Sequence, residues 1–264
     1  MTSLMITLIG GPTALLEIGG FRLLTDPTFD APGEYPLPYT TLVKTTGPAL
    51  GPAAIGAVDA VLLSHDQHFD NLDRAGRAYL ATASRVLTTP AGARRLGGAA
   101  EGLAPWQSTT LTKPDGKRLT ITGTPARHGP AGIEPIAGDV TGFVLSSDDR
   151  IAPVYITGDT VWYAGTSETA HRFQAGVVMP FAGAAQTRGS FHLTMDVNDA
   201  IETAAAFPEA TVVPLHCDGW AHLTQSADDL RRSFDALGFG KRLLVLQPGI
   251  PTAIPLRESA KTSD

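Results

Sequence analysis

Residues 64–73 read Ser64-His65-Asp66-Gln67-His68-Phe69-Asp70-Asn71-Leu72-Asp73. The apolar run that leads into them, 59–64, reads as a buried strand. The segment that follows, 71–83, places Leu72, Ala75 and Tyr79 on one helical face, with Asp70 or Asn71 available to cap its free amides. Two imidazoles and several carboxylates therefore fall where a strand turns into a helix. Imidazole and carboxylate suit a borderline cation such as zinc, and a turn converges side chains that a straight strand would point apart. The bland alternative is a polar capping turn with both histidines in solvent.

Three positions further along repeat the pattern. His128 ends the apolar run 119–125, Asp159 ends 154–157, and His216 ends 212–215. A lone histidine at a strand end is usually only a hydrogen-bonded residue. Four separate segments doing the same thing describe a site assembled on one rim of a sheet structure.

The rest of the chain supplies the sheets. Runs 4–9, 14–18 and 21–25, separated by Gly-Gly or Gly-Pro, read as hairpin strands. A Pro/Gly-rich stretch, 27–52, reads as too irregular for regular structure. Strands are expected over 118–122, 140–146 and 154–157, with Asp148 and Asp149 at a turn. The C-terminal third pairs strands (177–179, 212–215, 243–246) with helices marked by Val197, Ile201, Ala204 and Ala205 and by Leu230, Phe234 and Leu237. The expectation is an α/β chain of one domain, 1–264, in which two sheets pack together with helices outside, a four-layer αββα sandwich. Periodicity alone does not separate this from other α/β sandwiches. The polar tail 258–264 is expected to be disordered.

Composition narrows the function. The chain has 264 residues, with 28 glycines and 20 prolines, many tight turns for a helical bundle. Its net charge of −6 gives no attraction for a phosphate polymer. A single cysteine, Cys217, excludes an intrachain disulfide and a cysteine-rich zinc module. No Lys or Arg precedes Arg22, and no stretch of apolar residues is long enough to span a bilayer, so the reading is soluble and cytoplasmic. There is no Gly-x-Ser-x-Gly elbow, and Gly10-Gly11 is followed by neither phosphate-loop nor dinucleotide spacing.

The ordered motifs resemble the metallo-β-lactamase superfamily, closest to its lactonase-like branch that includes L-ascorbate-6-phosphate lactonase. Its hallmark is His-x-His-x-Asp-His after a strand, then a single His, Asp and His at later strand ends. The counterparts here are His65 to Asn71, His128, Asp159 in Thr157-Gly158-Asp159-Thr160, and His216 in Pro214-Leu215-His216. The openings Ile9-Gly10-Gly11-Pro12-Thr13 and Leu24-Thr25-Asp26-Pro27-Thr28 are also similar to this branch. Two departures stand out: one extra residue, Gln67 or its neighbour, separates the first two histidines, and Asn71 occupies the place of the last motif histidine.

The resemblance implies two mixed β-sheets flanked by helices, with His65, His68 and His128 holding one divalent ion. Asp70, His216 and a bridging Asp159 would hold a second, with Asn71 a weak ligand through its amide oxygen. One or two ions are expected, zinc first, manganese or iron as alternatives. The implied activity is hydrolysis of a small ester, lactone or phosphoester, with Asp70 catalytic. Iron-dependent oxygen chemistry, or a non-catalytic binding protein on a degenerate site, are the other readings. The expected partner is a small molecule, with no nucleic acid or membrane, and with self-association open. His192, His222 and Arg188 are candidate substrate-binding residues in a pocket shaped by 27–52 and 129–138. His171 is expected in solvent, and Cys217 buried and inert.

Overall fold

Along the apolar run before the polar cluster, Ala60 and Leu62 pack into one buried cluster while Val61 and Leu63 pack into another. A strand buried on both faces needs a layer on each side. The computed structural model, which describes residues 3–149 and 151–258, provides both.

One sheet contains β1 (Ser3–Gly10), β2 (Thr13–Ile18), β3 (Phe21–Thr25), β6 (Ala60–Leu62), β7 (Val86–Thr88), β8 (Ala100–Gly102) and β15 (Thr252–Pro255). Their order is β15-β1-β2-β3-β6-β7-β8. The second sheet runs β14 (Thr211–Val212), β13 (Val177–Met179), β12 (Val154–Ile156), β11 (Thr141–Ser147), β10 (Arg118–Pro125) and β9 (Ser108–Thr112). Both sheets are mixed: β3, β6, β7 and β8 pair in parallel, as do β12, β13 and β14, while the remaining ladders are antiparallel.

Between the sheets lies the largest core cluster, in which Leu16, Leu23 and Leu62 meet Ile121, Phe143 and Ile156. The outer faces are covered by α1 (Pro52–Ile55), α2 (Arg74–Leu80) and α3 (Pro90–Leu96) on one side. On the other side lie α5 (Ala164–Arg172), α6 (Val197–Ala206) and α7 (Ala227–Ala236), and a short α4 (Glu134–Ala137) follows β10. The expected four-layer αββα sandwich is therefore present. Parallel neighbours require crossovers, and the crossovers carry α2, α3, α5 and α6, so the chain leaves β6, β12 and β14 on a common rim.

Several local expectations are corrected. The Pro/Gly-rich stretch holds a hairpin of β4 (Gly33–Pro36) and β5 (Thr41–Lys44). Helix α2 begins later than expected because its cap is Asp73, not Asp70 or Asn71; Asp73 Oδ1 accepts from the Gly76 amide at 2.8 Å. Asp73 also accepts from the amides of Phe29 and Asp30 and from Lys44 Nζ at 2.8 Å, a fully buried ion pair. The strand before His216 shortens to Thr211–Val212, and of 243–246 only Leu243 forms a bridge, with Val212. Residues 84–117, for which the apolar pattern suggested no element, hold β7, α3, β8 and β9. In the polar tail Glu258 bridges Ile151, and 259–264 lies outside the described residues. Among the described residues no helix is long and apolar enough to cross a membrane.

Candidate metal centre

The chain leaves β6 into a tight turn that brings three imidazoles together. His65 Nε2 lies 2.9 Å from His68 Nδ1, and His128 Nε2, delivered from the end of β10, lies 3.1 Å from the same atom. The extra residue in the first motif is thus absorbed without separating His65 from His68. The outward nitrogens fix the tautomers. His128 Nδ1 donates to the Leu193 carbonyl at 2.7 Å, which can only accept, so Nε2 carries the lone pair. His65 Nδ1 faces Ser64 Oγ at 2.9 Å, and that hydroxyl donates to Asp26 Oδ1 at 2.6 Å, so here too Nε2 is the free acceptor. Three inward nitrogens can share at most one proton, on His68. Burial, reinforced by the neighbouring His128, takes the His68 pKa down to about 4, and burial with His68 and His128 holds His65 well below the ordinary histidine range. Neutral imidazoles whose nitrogens converge in this way suit a divalent cation.

A second trio lies beside the first. Asp70, Asp159 and His216 bring one ligand atom each within 4.8 Å of one another. His216 Nε2 is 3.4 Å from Asp70 Oδ2 and 3.9 Å from Asp159 Oδ1, while Asp159 Oδ2 is 3.6 Å from His128 Nε2. Asp159 therefore reaches both trios. Burial pushes its carboxyl up to about 6, with His216 opposing and Asp70 adding to the shift. For Asp70 burial is outweighed by His222 and His216, which hold it well below the usual carboxylate range. For His216 burial is outweighed by Asp159 and Asp70, which raise it. Both oxygens of Asp159, Nε2 of His216 and Oδ1 of Asn71 are buried without a hydrogen-bond partner. The unpartnered Asp159 and His216 atoms, gathered with Asp70, fit a cation.

Local backbone geometry aims these side chains. Gly158 has φ +61°, and a Cβ there would come within 2.6 Å of the Thr141 carbonyl oxygen and 2.9 Å of Ser64 Cβ, so only glycine lets Asp159 turn inward beside β6. His216 itself has φ +54° and is not a strand residue; its amide donates to the Gly11 carbonyl at 2.9 Å. Cys217 is buried, as expected, with Sγ on the Leu215 carbonyl and its thiol pushed up by burial.

The remaining candidates separate. His222 Nε2 is 2.9 Å from Asp70 Oδ2, and both line one cavity together with His68, His128 and Arg188. The hairpin residues Leu37 to Leu42 and the segment Ile133 to Ala137 form its walls, as expected, joined by Ala185 to Leu193. Arg188 is exposed and stacks over Tyr39, 5.0 Å from the ring centre. His192 does not line the cavity; its Nδ1 pairs with Asp196, the cap of α6, at 3.0 Å. Asn71 is fully buried, with Nδ2 donating to Ser64 Oγ at 3.5 Å. His171 is exposed, as expected. The sequence reading missed Asp26, which follows β3 as Asp159 follows β12 and supports His65 through Ser64.

A mixed two-sheet sandwich with this His/Asp cluster on one rim is a metallo-β-lactamase-fold protein. The chain belongs to the family described as Beta-lactamase superfamily domain, which matches residues 21–217. It is 26% identical over 255 residues to the UPF0173 protein YddR of Bacillus subtilis, covering 92% of this chain and 97% of that one. The isothiocyanate hydrolase from Delia radicum gut bacteria superimposes with a TM-score of 0.82 at 24% identity, over 95% of this chain and 99% of that one. A possible metal-dependent hydrolase from Veillonella parvula gives a TM-score of 0.83 at 22% identity, over 95% and 99%.

Proposed function

We propose that the chain is a lactonase-like, metal-dependent hydrolase acting on a small ester, lactone or phosphoester. The observation that carries this reading is the meeting of the His65, His68 and His128 ring nitrogens, with Asp159 reaching across to Asp70 and His216. In this reading His65, His68 and His128 hold one ion, and Asp70, His216 and the shared Asp159 hold another. A divalent ion there, zinc with manganese or iron as alternatives, supplies a Lewis acid for the substrate oxygen and makes water acidic enough to attack near neutral pH. Asp70, kept ionised by its two imidazole neighbours, accepts the hydrogen bond of the attacking water and then its proton. His222, on Asp70 Oδ2 and on the cavity wall, orients that carboxylate. Asp26 and Ser64 hold His65 in the tautomer that presents Nε2.

Metal analysis of protein purified without chelator, followed by rates on a lactone, ester and phosphoester panel, tests the reading. One to two equivalents of metal are expected, with turnover lost on chelation and restored by adding metal back. Protein that takes up no metal, or Asp159→Ala protein with full activity, overturns it. An iron content above zinc with activity that needs O₂ transfers the site to oxygen chemistry instead.

A further inference from the structure

The cavity over the cluster has two unlike ends. At its floor are His68, His128, Asp70 and His222; above them the walls are Leu37, Leu42, Ile133, Ile136, Ala185 and Leu193. All of these but the exposed Ile136 belong to two separate apolar clusters, one on the β4–β5 hairpin and one around α4, so they are built surfaces rather than stray side chains. The lip continues the same chemistry. Of the five large apolar side chains exposed among the described residues, Tyr39 (78%), Ile136 (59%) and Phe191 (38%) sit on the three segments that border this mouth. Exposed apolar side chains gathered round one opening mark a ligand surface. Cationic groups are scarce: Arg188 alone lines the cavity, and its guanidinium lies over the Tyr39 ring. Phosphate recognition often draws on several Arg or Lys side chains, and Arg188 is the single one on the lining. The cavity volume of about 260 Å³ is also small, below the roughly 300–1,000 Å³ of sites for drug-sized ligands.

We infer that the substrate is a small carboxylic ester or lactone with a short apolar arm and no phosphate, the arm lying along Leu42, Ile133, Ile136 and Leu193. This rests on the hydrolase reading for its reactive end, and on the walls alone for its arm. Gln67, the extra residue of the first motif, helps to shape that end: a Cβ on Gly138, at the end of α4, would lie 2.1 Å from Gln67 Nε2, so the inserted side chain packs directly against the lip helix.

The test reads binding, so that it stands apart from turnover. Straight-chain carboxylates from acetate to octanoate are titrated into zinc-loaded protein by calorimetry, with inorganic phosphate and methyl phosphate as comparators. The dissociation constant should fall by about four-fold per added methylene until the arm passes the mouth, and then level off. Ile136→Ser, an exposed position that leaves the core intact, should reduce the gain per methylene. A constant affinity from acetate to octanoate, or methyl phosphate binding more tightly than butyrate, overturns the inference. A chain-length series of the expected form in protein that hydrolyses nothing on the panel keeps the apolar arm site and overturns the hydrolase reading together with the ester or lactone end.

Discussion

His222 Nε2 lies 2.9 Å from Asp70 Oδ2, although 152 residues separate the two in the chain. The hairpin that carries Lys44 anchors this contact: Lys44 and Trp220 form an isolated bridge, and His222 follows Trp220 by two residues. Groups that orient a metal-binding side chain from behind typically contribute 10–100-fold to affinity or activity. His222→Ala should accordingly lower kcat/KM by about 10–100-fold. His222→Gln, which keeps a donor near Asp70, should recover part of the loss. Steady-state kinetics of the two variants on the best panel substrate decide it.

The two trios should release their ions in order on acidification. His65, His68 and His128 are all held below the ordinary histidine range by burial, so an ion there meets little competition from protons near neutral pH. His216 is shifted the other way, so an ion at Asp70, Asp159 and His216 competes with a proton at higher pH. Equilibrium dialysis with metal analysis from pH 8 to 4 should show one equivalent leaving first, and His216→Ala should remove that early step. Simultaneous loss of both would contradict the assignment.

Metal should also stabilise the fold. An ion at 100 times its dissociation constant contributes about 2.7 kcal/mol, which for a chain of this size raises Tm by roughly 5–10 °C. His128→Ala should reduce the zinc-induced rise in a thermal melt, and Asp159→Ala should reduce it further because Asp159 reaches both trios.

Asp26 gives a pH dependence with a definite sign. Burial, opposed by Ser64, takes its pKa to about 8 from the model-peptide value of 3.8. The folded chain therefore holds this proton more tightly than the unfolded chain does. The contribution to stability is complete below about pH 4 and is lost as the pH rises towards 8. In metal-stripped protein, the stability of the wild type relative to Asp26→Asn should fall steadily between those limits. Urea unfolding across the range measures it, and a difference that grows with pH is the contrary result.

Asp73→Ala should destabilise the protein by about 3–5 kcal/mol, because it leaves Lys44 buried without its partner. The loss includes the cap of α2 and the acceptor for the Phe29 and Asp30 amides. Urea unfolding of the metal-stripped variant separates this from any change in metal affinity.

The residues of the two trios could be picked out because each segment that carries them follows an apolar run, and a strand end on a mixed sheet is where side chains from distant segments meet. Asp26 carries the same signal, directly after 21–25, and went unread only because no histidine accompanies it. The β4–β5 hairpin was hidden by its four-residue strands, one of which ends on Pro36, and by turns dense in proline and glycine. Thr89-Pro90 is an N-cap followed by a first-turn proline and could have announced α3. The cap of α2 was misplaced because Asp70, Asn71 and Asp73 all have capping side chains, and tertiary packing against Phe29 and Lys44 chose among them. The third wall of the cavity, 185–193, has no periodicity of its own and is positioned by pairing with distant partners, such as the Ala185 bridge to Leu223.

The left-handed turn at His216, tied to the Gly11 carbonyl, has a consequence for the order of events as the chain acquires its structure. The last ligand cannot be aimed until the first hairpin has closed and the final third of the sequence has returned to meet it. Contacts between such distant segments form late, after most loops have closed. His65 and His68 come together early and locally, but full cation capture reports only a finished molecule. Metal uptake followed in time during refolding should therefore lag behind the burial of the inter-sheet core.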